Sequence, residues 1–158
     1  MIDEFEVPSP QRLVFPALAP LYRRLAPWSY AAARILMGLV VLPAGIDKVF
    51  MGGVARIAVG NIVKAGFYPP FFWAWVVGGL EFFGALLLIA GLWTRPIAFA
   101  FAFEMAVITF RIRSGDGYFL TPTGRGMDVS VLLLGSWVAL VLGGGGRYSA
   151  DRLSGKEF

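Results

Sequence analysis

The hydrophobic positions of this chain fall into four long runs separated by short polar stretches rich in Gly or Pro. The first covers about residues 29–49, with Arg34 near its start and Asp47-Lys48 at its end. The second, about 71–92, carries one charge, Glu81. The third, about 96–112, holds Glu104 inside and Arg111 at its exit. The fourth, about 128–142, opens at Asp128 and stops at the glycines Gly143 to Gly146. A helix needs about 20 residues to cross the hydrocarbon of a bilayer, so each run reads as a transmembrane helix and the fourth as a short one. The pattern predicts an all-α membrane protein, an antiparallel four-transmembrane-helix bundle with both termini on one side.

The stretches between the runs fit that plan. Over residues 52–68, Arg56, Gly60 and Lys64 share one face and Val54, Ile57, Ala58 and Ile62 another, which predicts an amphipathic interfacial segment between helices 1 and 2. Pro69-Pro70 opens the second run, where the first helical N–H groups have no partner to lose. Thr94 is the expected N-cap of the third helix. Residues 1–28 begin acidic and carry Pro8, Pro10, Pro16, Pro20 and Pro27, a pattern unlike a signal peptide. Apolar residues interleaved with Arg12, Arg23 and Arg24 predict an N-terminal interfacial tail there. Residues 29–142 form the transmembrane domain and 143–158 a soluble C-terminal tail.

Helical spacing predicts which faces pack. Arg34, Gly38, Val41, Gly45 and Lys48 form one stripe, and its two glycines allow close helix contact. Glu81 lies with Gly78, Gly84 and Ala85, and Asp128 with Leu132, Gly135 and Ala139; both sets read as inward faces. At a rise of about 1.5 Å per residue, Arg34 lies roughly 9 Å, Glu104 about 12 Å and Glu81 about 16 Å from the terminal side. Arg34 is therefore expected to pair with Glu81, Glu104 or both, in the last case as one cation between two acids. Two close carboxylates do not both ionise cheaply, so one is expected to bind a proton. Asp47, Lys48, Arg111, Arg113 and Asp128 form a second, more hydrated group near the opposite surface. Ion pairs between membrane helices also fix register without any ligand, and Asp128 suits a helix start. Glu104 stands out, because a second buried acid adds cost without a packing benefit.

Composition settles the class and removes much chemistry. Of the 158 residues 58% are hydrophobic and 15% charged, whereas soluble domains carry about 25% charged residues. With no Cys and no His, disulfides, iron–sulfur clusters and the usual haem and metal ligands are excluded, and no intrinsic cofactor or metal is expected. The net charge of +4 comes from residues flanking the apolar runs, so no nucleic-acid partner is expected. Seven basic residues flank the spans on the terminal side and six on the other, which gives the positive-inside rule no preference. The expected location is a bacterial inner (cytoplasmic) membrane, multi-pass, with cytoplasmic termini. The aromatic group Phe67, Tyr68, Phe71, Phe72, Trp73 and Trp75 reads as an interfacial belt; Tyr68, Trp73 and Trp75 are the candidates to stack on a quinone or lipid.

Arg34-Ile-Leu-Met-Gly38 through Ala44-Gly45-Ile-Asp-Lys48 resembles the opening of the DoxX family of small four-helix membrane proteins. Glu81-Phe-Phe-Gly84, continuing to Gly91 and Thr94-Arg95, is similar to the family's second helix. Gly146-Arg-Tyr-Ser-Ala-Asp151 resembles its ending, and Gly117-Tyr-Phe with Gly126-Met-Asp128 the loop before helix four, with Asp where Glu is usual. Glu104 stands where the family more often has an apolar residue. The resemblance implies association with respiratory and redox complexes, such as the membrane subunits of an archaeal thiosulfate:quinone oxidoreductase. The function it implies is an integral subunit of a redox assembly that can hold a quinone or lipid between its helices. Such a subunit is not expected to be catalytic alone; its partners would be membrane lipid and other complex subunits. Two alternatives stand beside it: a small proton-coupled transporter relaying through Glu81 and Glu104, and a purely structural subunit. The buried-charge candidates are Arg34, Glu81, Glu104, Asp47, Lys48 and Asp128.

Overall fold

The computed structural model describes residues 13–119, 126–153 and 155, and among these every regular element is helical. Much of the interfacial tail expected at 1–28 and part of the C-terminal tail therefore lie outside the described residues. Helix α1 (Ala19–Leu25) is flanked by the 3-10 turns Pro16–Leu18 and Ala26–Trp28 and runs directly into α2 (Ser29–Phe50). The prolines do not break this segment, because Pro16, Pro20 and Pro27 each fall at the first or second position of a turn, where the missing N–H costs nothing.

Gly52, at φ 78°, reverses the chain. Helix α3 (Gly53–Ile57), a π turn (Ala58–Ile62) and α4 (Val63–Ala65) then form one short rod. It buries Val54, Ala58 and Ile62 against Ala74 and leaves Arg56 and Lys64 outside. Helix α5 (Pro70–Gly79), a π turn (Leu80–Gly84) and α6 (Ala85–Ala90) make a second long rod. Helix α7 (Thr94–Val107) ends in a third π turn (Ile108–Ile112). Helix α8 (Asp128–Gly143) and the short α9 (Ala150–Leu153) complete the chain.

Two stretches are long and apolar enough to cross a membrane, Pro16–Phe50 and Pro70–Ala90, with Asp128–Gly143 a shorter apolar helix. Large apolar side chains such as Leu36, Leu39, Phe83, Phe110 and Leu132 face outward, as a lipid surrounding allows. The helices meet through small residues. A Cβ on Gly38 would touch Ile89 and the Ala85 carbonyl, one on Gly45 the Glu81–Phe82 backbone, and one on Gly78 the Cβ of Lys48. Partner numbers fall as α2 numbers rise, so α2 and the α5–α6 rod run in opposite directions. The buried face of α2 is Ala31, Arg34, Gly38, Val41 and Gly45.

Helix α7 packs along α8, where Phe101 stacks on Trp137 with centroids 4.6 Å apart. Here the inward face of α8 differs from the expected one. Ser130, Trp137 and Leu140 are buried, whereas Leu132, Gly135 and Ala139 face out. The interior at this point needs volume, which Trp137 supplies and Gly135 does not.

Residues 143–153, the start of the expected C-terminal tail, pack back onto the helix ends. Ser149 and Asp151 are buried, and Trp28 stacks on Tyr148 with centroids 4.1 Å apart. Asp151 accepts from the Trp93 N–H (2.6 Å) and the Thr94 N–H (2.9 Å), and its own N–H donates to Gly91 O at 2.9 Å. The cap of α7 thus comes from Asp151 rather than from Thr94, whose hydroxyl is buried without a partner among the described residues.

Candidate functional site

A cavity of about 440 Å³ lies between the α5–α6 rod and α7, with the α3–α4 rod across one end. Its walls are mostly apolar, and its charged lining residues are Lys48, Glu81 and Glu104. All three π turns contribute, through Asn61 and Ile62, Leu80 and Glu81, and Ile108 and Ile112. A π turn inserts a residue into the helical ladder and re-aims the side chains beside it, and such turns recur at functional sites. Glu81 sits inside one.

Lys48 donates to Glu81 and forms an ion pair with it; the two side chains are 14% and 7% exposed. Glu104, 8% exposed, lies within electrostatic range of both. Its carboxyl group is within hydrogen-bonding reach of the Glu81 carboxyl, and among the described residues no other group partners its oxygens. The expected grouping of one cation with two buried acids is therefore present, but Lys48 supplies the cation.

Arg34 is elsewhere. It is 2% exposed, donates from Nη2 to Tyr148 O at 3.0 Å and lies against Gly91, within electrostatic range of Asp151. The expected pairing of Arg34 with Glu81 and Glu104 fails for two physical reasons. Side chains on a helix tilt toward its N-terminus. Arg34 therefore points toward the start of α2, whereas Lys48 points back into the bundle and Glu81, on the opposed rod, points toward Lys48. The helices also do not end flush. Glu81 is level with Gly45, about 16 Å along α2 from Arg34.

The remaining candidates are not brought to this cluster. Asp47 pairs with Arg56 near the surface, tying α2 to α3. Asp128 is the first residue of α8; its Oδ1 accepts from the Val129 N–H at 2.9 Å, and its own N–H donates to Tyr118 O. Arg113 lies 4.0 Å from Asp116. Among the aromatic candidates, Trp73 lines the cavity and packs on Phe67, while Tyr68 and Trp75 are exposed outside it. Sequence reasoning did not single out Asn61 or Asp151. Asp151 had one signal, its place in the Gly146–Asp151 stretch.

Long apolar helices, apolar outer faces and a buried charged cluster define an integral membrane helix protein. The DoxX family model matches residues 29–114, more than half of the sequence, and the chain belongs to the DoxX family. An uncharacterized protein of Haemophilus influenzae is 34% identical over 77 residues, 48% of this chain and 58% of that protein. The chain thus spans little more than half the length of that relative. No solved structure matches.

Proposed function

We propose that this protein is a membrane subunit of a redox or respiratory-type assembly that holds a quinone between its helices. The observation that carries the reading is Glu104, a buried acid beside the Glu81 carboxyl on the wall of an apolar cavity, with no other hydrogen-bond partner among the described residues. On insertion scales a charged residue at the centre of a membrane helix costs about 2.5–3.5 kcal/mol, and such residues mark ligand or ion pathways. The volume lies within the roughly 300–1,000 Å³ usual for small-molecule sites. In this reading the head of a quinone lies at the charged end. Lys48 would donate to a carbonyl oxygen of the quinone, Glu104 would accept from a hydroxyl of its reduced quinol form, and Glu81 holds Lys48 in place. Trp73 is the aromatic candidate to stack on the ring. A bound quinone would supply reversible two-electron, two-proton chemistry, with a partner as donor or acceptor of electrons, since the sequence has no Cys or His.

The same proposal takes the long helices as an antiparallel four-span bundle, with the α3–α4 rod lying in the interface of a bacterial inner membrane. Glu81 draws Lys48 inward. That leaves Arg56, Lys64, Arg111 and Arg113 at one face, and Arg23, Arg24, Arg95, Arg147 and Arg152 at the other, among the described residues. The experiment is extraction at natural expression level in mild detergent, followed by native mass spectrometry. Recovery with an oxidoreductase or other multi-subunit membrane complex is expected. A lone monomer with turnover of its own would contradict the subunit reading.

A further inference from the structure

Among the described residues, no helix closes one side of the cavity. Helix α7 packs against α6 and the π turn at 80–84, but it does not pack extensively against α5. The two helices diverge below that turn, and the α3–α4 rod bridges the wide end by packing on both α5 and the π turn at 108–112. What remains is a slot facing sideways. Its rim is visible in the side chains. Phe99 and Phe103, one turn apart on α7, line the cavity yet are 64% and 61% exposed, and Val76 of α5 lines it at 43%. A residue that both walls a cavity and faces outward marks its mouth. Polarity is graded along this axis, with Lys48, Glu81 and Glu104 inside and phenylalanine and valine at the opening. The bridging rod is sealed by Val54, Ala58 and Ile62 packed on Ala74.

We infer that the site is loaded from within the bilayer through the slot between α5 and α7, and that its ligand is a quinone bearing a hydrocarbon tail that lies across Phe99 and Phe103. This rests on the quinone reading and adds its route and chemical class. A polar solute from water would have to leave its hydration at an apolar rim immersed in lipid. A tailed quinone is already dissolved there, and its tail buries apolar area in the slot at about 25 cal/mol per Å².

The sequence contains no Cys, so the slot can be stapled selectively. Val76→Cys and Phe103→Cys are combined in the full chain in lipid nanodiscs and bridged with a dimaleimide, bridging being scored by mass. Binding and release are followed for a fully substituted benzoquinone bearing a decyl tail and for the same ring with methyl in place of the tail, neither of which has an open ring position for thiol addition. Before bridging, the tailed quinone is expected to bind at least tenfold more tightly than the tailless one. Bridging is expected to slow its release at least tenfold. Phe103→Ala alone, which widens the mouth without a staple, is expected to speed release. Unchanged release after bridging would overturn the slot and leave quinone binding standing. Failure of the unbridged protein to bind either quinone would overturn the quinone reading itself.

Discussion

Lys48 of α2 and Glu81 of the π turn at 80–84 meet one turn of α2 beyond the place where Gly45 lies against the Glu81–Phe82 backbone. The glycine sets the distance between the helices, and the opposed tilts of the two side chains close the remaining gap. Arg34 shares their stripe on α2 but serves the other end of the molecule, where it holds the returning C-terminal segment at Tyr148.

Removing one partner of a buried ion pair leaves the other charge uncompensated. Lys48→Met is expected to destabilise the protein in detergent by about 3–5 kcal/mol. Adding Glu81→Gln should recover more than half of that loss. Denaturation of both single variants and the double variant checks this; a double variant no more stable than Lys48→Met would mean that the pair does not hold the helices together.

Two glycines should respond in opposite ways to the same change. Gly45→Ala places a Cβ against the Phe82 backbone, which cannot yield as a flexible side chain would, and is expected to cost about 1–3 kcal/mol. Gly135 has no heavy atom within 4 Å of such a Cβ. Gly135→Ala should be neutral or stabilising, by up to about 1 kcal/mol. Melting temperatures of the two variants in one detergent decide the matter.

Asp151 caps α7 from a distance in sequence. Asp151→Ala leaves the Trp93 and Thr94 N–H groups without their acceptor and is expected to cost about 1–3 kcal/mol. Amide exchange at Trp93 and Thr94 should accelerate while amides in the middle of α2 stay protected. Asp151→Asn, which keeps one acceptor oxygen, should lose less. Unchanged exchange at both amides would show that the C-terminal segment does not secure this helix.

The long helices were legible because each is an apolar run closed by Pro, Gly or charge, and the inward stripe of α2 was legible from its glycines. The same logic failed on α8. Small residues at helical spacing look alike whether they face a neighbour or the outside, and the deciding residue was Trp137, paired with Phe101 from another helix. Glu81 and Glu104 were recognisable as buried acids, but their cation was misassigned, since spacing along a run does not report how two helices stagger. The cavity had no sequence signal. It arises where α5 and α7 part and α3–α4 spans them, a relation among four segments that no single periodicity contains.

If Glu104 holds a quinone, removing its carboxyl empties the cavity. The most direct measurement is the quinone content of the full chain purified in native nanodiscs, by mass spectrometry, for the wild type, Glu104→Leu and the exterior variant Arg111→Gln. About one quinone per chain is expected in the wild type and in Arg111→Gln, with at least a tenfold loss in Glu104→Leu at equal folding. An empty wild-type protein, or undiminished quinone in Glu104→Leu, would mean that Glu104 holds no quinone.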